Sequence, residues 1–181
     1  RRRPKLSLRE IDQAAELLGD ADVKLRFFVG DLLVRQGKRG AEALLLQADS
    51  PLGEVRRSAV HVLGKVVQNL GHAPEAYGRI VQRLRLGLGD EDSKVRKNCA
   101  VSLGRLENSG NAKSLLEACE TEEVGWVRTS LILALGASGG QETQRFLTAY
   151  QPRDSDESQV LRQAQDRSGA VDSSWSLRPE L

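Results

Sequence analysis

Residues able to do chemistry are few in this chain of 181 residues: its histidines are His61 and His72, and its cysteines Cys99 and Cys119. A metal centre needs several His, Cys or acidic ligands at short spacing, and neither histidine stands in such a cluster. Nucleophilic catalysis needs a base positioned beside the nucleophile. Each cysteine lies among apolar residues of a helical pattern, where a thiol packs as a small hydrophobe. The glycines are scattered at helix ends and turns, and no glycine-rich run leads into Lys followed by Ser or Thr, as a phosphate cradle requires. The expectation is a protein with no catalytic residue, no cofactor and no metal site of its own.

What remains is charge and one aromatic ring, and placing them requires the elements that carry them. An internal repeat supplies those elements. The phrase Val55-Arg56-Arg57-Ser58-Ala59-Val60-His61-Val62-Leu63-Gly64 returns as 95–104, from Val95-Arg96 to Leu103-Gly104, and again as 127–136, from Val127-Arg128 to Leu135-Gly136. A degenerate copy begins at Leu25-Arg26, and Leu161-Arg162 opens a fifth, truncated one. Within a copy the apolar positions recur every three or four residues, as at 55, 59, 62, 63 and 66, which puts them on one face of a helix. A second amphipathic run precedes each copy: 11–18, 41–48, 80–88, 115–119 and 146–150. Each unit is therefore a helical hairpin, with acidic groups and serine in the turn as caps for the following helix. Gly19 and Gly89 are expected in the left-handed position that ends a first helix.

Few aromatics (4%), a hydrophobic share of 39% dominated by Leu, Val and Ala, and the periodicity together give an all-α fold. The repeats are expected to fill 8–167, with a basic N-terminal extension at 1–7. The stretch 168–181, without amphipathic periodicity, reads as a linker or docking tail. No run approaches the roughly 18 to 20 apolar residues that a membrane span requires. Unpaired cysteines imply a reducing compartment, hence a cytoplasmic protein. The absence of any methionine points to a piece of a longer chain.

The pattern of apolar helix, acid-containing turn, and second helix opening with Val-Arg and closing with Leu-Gly resembles the HEAT family. Its period is nearest the short repeats of phycobilisome lyase-like proteins. That resemblance implies an α-α superhelix, a HEAT-like solenoid of about four and a half hairpins. It also implies a ladder along the stack in which Asp22, Glu54, Asp92 and Glu123 pair with Arg26, Arg56, Arg96 and Arg128. The iron-binding hydroxylases of this family use repeated His-Glu pairs. Here Val62 follows His61 and Ala73 follows His72, so that enzyme is excluded.

With the second helices in register, the column two residues after the Val holds Phe27, Arg57, Lys97 and Thr129. The column ten residues after it holds Arg35, Lys65, Arg105 and Ala137. Residues four apart share a helix face, so the middle repeats carry a basic stripe on the surface of the second helices, which in HEAT solenoids is concave. The expected function is a non-catalytic interaction scaffold, a monomer or a module fused to another domain. It would bind a protein or RNA partner with an anionic surface through Arg35, Arg57, His61, Lys65, Lys97 and Arg105. Trp126, just before Val127, is either a cap over the turn or a partner contact. Two alternatives follow from the resemblance: a base-modifying enzyme of the HEAT-like DNA glycosylase type, for which Phe27 and Asp31 are the only aromatic and acid together on this face, and a chromophore-binding protein like the phycobilin lyases.

Overall fold

The computed structural model describes residues 6–67, 70, 74–106 and 109–175, with side chains omitted at 109 and 170–175. Its described residues are helical throughout, joined by short turns. The helices are α1 (Leu8–Glu16), α2 (Val23–Arg35), α3 (Lys38–Gln47), α4 (Gly53–Val66), α5 (Pro74–Leu86), α6 (Ser93–Arg105), α7 (Ala112–Thr121), α8 (Gly125–Ser138), α9 (Gln141–Ala149) and α10 (Ser155–Trp175). Odd-numbered helices are the first helices of the hairpins and even-numbered helices the second, so the fold is an all-α array of HEAT-like repeats. The chain divides into two compact units, Arg1–Gly87 and Leu88–Leu181.

In the first unit, the repeated apolar columns become core: Leu33, Leu44, Leu63, Ile80 and Leu84 are fully buried. The helix starts follow from side-chain chemistry. Ser7 and Glu10 form a reciprocal capping box at α1, and the Asp22 carboxylate accepts from the Lys24 N–H at the start of α2 at 2.8 Å. The glycine expectation is corrected here. Positive φ occurs at Gly37 (57°), between α2 and α3, and not at Gly19. Gly19 ends a short 3₁₀ turn, and a Cβ there would lie 2.6 Å from Val55 Cγ2, so its role is close approach.

In the second unit the core runs through Val95, Cys99, Leu103, Leu115, Val127, Leu131, Ile132 and Leu135. Ala59 in the first unit and Cys99 and Leu131 in the second are all buried, as their common register requires. The Leu-Gly glycines are contact points between successive second helices. A Cβ on Gly104 would meet Ala134 Cα at 2.9 Å, and one on Gly136 would meet Ala164 Cα at 2.6 Å. Helix α8 thus lies between α6 and α10, with backbones too close for any larger residue. Gly139 and Gly140 adopt positive φ (66° and 91°) at the turn from α8 to α9, whereas Gly89 does not. The last hairpin is a complete pair, because Asp154 caps α10 at the Glu157 N–H (2.8 Å). Helix α10 then continues to Trp175, so the backbone of 168–175, expected to be irregular, is helical. Residues 1–5 of the basic extension, His72 and the tail end 176–181 lie outside the described residues.

Candidate functional site

Two classes of basic residue emerge, separated by what their charge touches. The Val-Arg arginines turn back onto their own hairpin turns. Arg26 donates to the carbonyls of Asp20 and Ala21, Arg56 to those of Ser50 and Pro51 (3.0 and 3.1 Å), Arg96 to Asp90 O (2.9 Å), and Arg128 to Glu122 O (2.8 Å). These bonds give acceptors of the turn backbone a charged donor.

In the second unit the same arginines also reach forward to a carboxylate of the next repeat. Arg96 Nε and Nη2 donate to the two Glu122 oxygens at 2.8 Å each, and Arg128 Nε donates to Glu157 at 2.6 Å. The expected acids are therefore corrected. Asp22 and Asp92 serve as N-caps, on Lys24 and Lys94, and Glu54 and Glu123 are exposed. Asp92 also raises Arg96 as a neighbouring charge. Glu122 and Glu157 stand five and four residues before Val127 and Leu161. Acidic residues at the matching turn positions, Asp20 and Asp90, could have pointed to Glu122, whereas Glu157 is the third residue of α10, where Val127 stands in α8, and has no such signal.

Burial alone would raise the Glu122 carboxyl, but hydrogen bonds from Arg96 and from the Val124 N–H outweigh it and hold the group below its ordinary value. The Glu122 hydrogen bond in turn raises Arg96. Glu157 is wholly buried; besides Arg128 it accepts from the Tyr150 hydroxyl (3.1 Å) and the Arg153 N–H (2.9 Å). Desolvation, with Glu157 nearby, pushes Cys119 up to about 12, which describes an inert packed thiol. Desolvation likewise pushes Tyr150 up to about 12. This constellation of Arg, Glu, Tyr and Cys is structural cement. Two first-helix arginines are also engaged: Arg79 pairs with Glu42 at 2.6 Å, and Arg83 lies 2.8 Å from Asp49 and donates to Ala48 O.

The second class is the basic columns. In the first unit Arg35 is exposed at the end of α2, and Arg57, His61 and Lys65 are half-buried along α4. Lys65 Nζ sits 6.0 Å from the centre of the Phe27 ring, whose residue is 59% exposed, and Asp31 is exposed on the next turn of α2. In the second unit Lys97 and Arg105 are exposed on α6. Trp126 is 45% exposed with Lys97 Nζ 5.9 Å from its ring centre, so it packs under a cation at the surface instead of capping the turn from within. Among the described residues, Arg35, Lys65, Lys97 and Arg105 form no ion pair. No group of three or more His, Cys, Asp or Glu that could hold a metal occurs among them, and no described helix is long and apolar enough to cross a membrane.

The HEAT-repeats family matches the chain over residues 41–136 and again over 80–166, so the chain belongs to that family. The solved complex of CpcE and CpcF of phycocyanin lyase from Nostoc sp. PCC7120 is similar in fold, with a TM-score of 0.63 at 20% identity, covering 94% of this chain and 68% of that one. Two engineered proteins are also similar: one with a TM-score of 0.53 at 19% identity, over 88% of this chain and 79% of its own, and another with a TM-score of 0.52 at 19% identity, over 88% and 47%. Curated proteins give no match in sequence. At these identities the structural likeness carries the fold alone.

Proposed function

We propose that the chain is a non-catalytic interaction module that takes an anionic protein partner on the faces of its second helices. Arg35, Arg57, His61 and Lys65 would serve in the first unit, and Lys97, Arg105 and Trp126 in the second. The observation that carries the reading is the division of labour among cations. The Val-Arg arginines and the first-helix Arg79 and Arg83 are bound to turn carbonyls and carboxylates. Arg35, Lys65, Lys97 and Arg105 stay at the surface without an ion pair among the described residues. Thr129 and Ala137 occupy the same columns in the fourth repeat, so the array does not need a base at either place. Charge kept at repeated surface positions outside the turn and carboxylate contacts is available to a partner.

The test compares the wild-type chain with the double charge reversal Arg57→Glu, Lys97→Glu as bait, with RNase and DNase present. The reading expects a partner retained through nuclease treatment, released by salt and lost with the double variant. Identical capture by both baits overturns it. A partner removed by RNase would instead give the RNA form of the scaffold.

The similarity to the CpcE and CpcF structure favours a second reading, chromophore binding. It predicts that a linear tetrapyrrole mixed with the chain changes its absorption spectrum, and an unchanged spectrum removes it.

A further inference from the structure

The second unit contains a groove of about 220 Å³ whose floor is Val101, Leu133, Ala134 and Ala137, with Arg105 on α6 at one wall and Arg167 on α10 at the other. No carboxylate lines it. Helix α6 (Ser93–Arg105) and helix α8 (Gly125–Ser138) contain no Asp or Glu anywhere in their sequences. On α8 the floor residue Leu133 is 39% exposed, and one end of the same face carries Trp126 beneath Lys97. A merely solvated helix face would carry mixed charges and few large apolar side chains. This face instead joins an apolar floor to cations on both sides.

We infer that this groove seats an acidic amphipathic helix of a partner protein. The inference rests on the interaction-module reading and names the segment that the module recognises. From Lys97 to Arg105 the face advances eight residues, about 12 Å of helix axis or just over two turns. An apolar stripe at i, i+3 or i+4, and i+7 on a partner helix fits such a floor, and carboxylates flanking the stripe would meet Lys97, Arg105 and Arg167. Nucleic acid fits less well. Val, Leu and Ala offer no hydrogen bond to phosphates or base edges, and stacking would fall on Trp126 alone, whose ring already carries Lys97.

The experiment is an anisotropy titration of the full chain with three labelled probes. One is a designed helical peptide with a leucine stripe flanked by glutamates. The second has the same composition with the leucines spread around the helix. The third is a single-stranded RNA oligonucleotide. The striped peptide should bind about tenfold or more tightly than the spread one. Leu133→Glu and Arg105→Glu should each weaken it by about tenfold or more while circular dichroism and the melting midpoint stay unchanged. Both replaced side chains are at the surface, and the two variants check each other should one fail to fold. Equal binding of the two peptides, indifference to Leu133→Glu, preference for the RNA, or binding of no probe overturns the groove inference. None of these touches the interaction-module reading, which falls only when charge reversal leaves capture of the partner unchanged.

Discussion

One sequence device, the Val-Arg arginine, is used in two ways, at Arg26 of the first unit and at Arg96 and Arg128 of the second. In the first unit the side chain of Arg26 donates to backbone carbonyls of its own turn, and the position in the next repeat that matches Glu122 is Ser50. In the second unit Arg96 and Arg128 make that same turn contact and also engage buried carboxylates 26 and 29 residues ahead. A carbonyl contact ties an arginine to its own hairpin. A carboxylate contact ties one hairpin to the next, and it removes two charges from water that must stay paired. The contacts of Arg96 and Arg128 should thus be more sensitive to loss of a single group than that of Arg26.

The largest expected effect follows directly. Glu157→Ala leaves Arg128, which is 5% exposed, as an uncompensated buried charge. It should cost about 3–5 kcal/mol. Arg26→Ala removes hydrogen bonds from a less buried arginine and should cost about 1.5–3 kcal/mol. Urea melts of both variants check the ordering, and equal losses would break the comparison.

Next come the glycines. Gly136→Ala forces a methyl against Ala164 Cα at 2.6 Å, where only a shift of one helix relieves the clash, and should cost about 1–3 kcal/mol. Gly30→Ala in the first unit meets a Val62 methyl at 2.9 Å, a side-chain contact that can give way, so its melting point should fall less.

Acid pH sharpens the contrast further. The folded Glu122 carboxyl titrates below its ordinary value of 4.5, so its stabilisation is complete above that value and is lost as pH falls through the lowered one. Amide exchange around α7 and α8 should accelerate over that window, and Glu122→Gln should flatten the pH dependence while lowering stability at neutral pH. Unchanged exchange down to the folded carboxyl's titration would show that the Arg96 pair does not hold the repeats together.

The smallest effect is expected in the basic columns of the second helices. Arg57→Glu with Lys97→Glu should move the melting midpoint by no more than the equivalent of about 0.5 kcal/mol, measured by calorimetry. A collapse of stability would return these residues to the structural class.

The candidate surface was partly legible in the sequence, because a column repeated every 30 to 40 residues projects from the same point of each hairpin. Lys97 and Arg105 were found that way, and Trp126 from its place just before Val127. Arg167 and the groove floor were not: Leu161-Arg162, read as the opening of the fifth copy, begins at the seventh residue of α10 whereas Val127 is the third of α8, so Arg167 falls in the column of Arg105 and Ala137 only once the helices are placed. Their common feature is a depression between α6, α8 and α10, which exists only after packing.

The sequence by itself determined the helical hairpins and the buried column of Ala59, Cys99 and Leu131, whereas the fifth hairpin, read as truncated, is a complete pair in the structure. Apolar period and turn composition act over a few residues and need no distant partner. Tertiary structure alone decided which acid each arginine meets. Glu120, Glu122 and Glu123 lie within one turn of each other, and the packing of one hairpin on the next turns only Glu122 toward Arg96. It also decided which glycines take positive φ, at Gly37, Gly139 and Gly140 instead of Gly19 and Gly89, since that is set by the angle at which one hairpin must leave for the next.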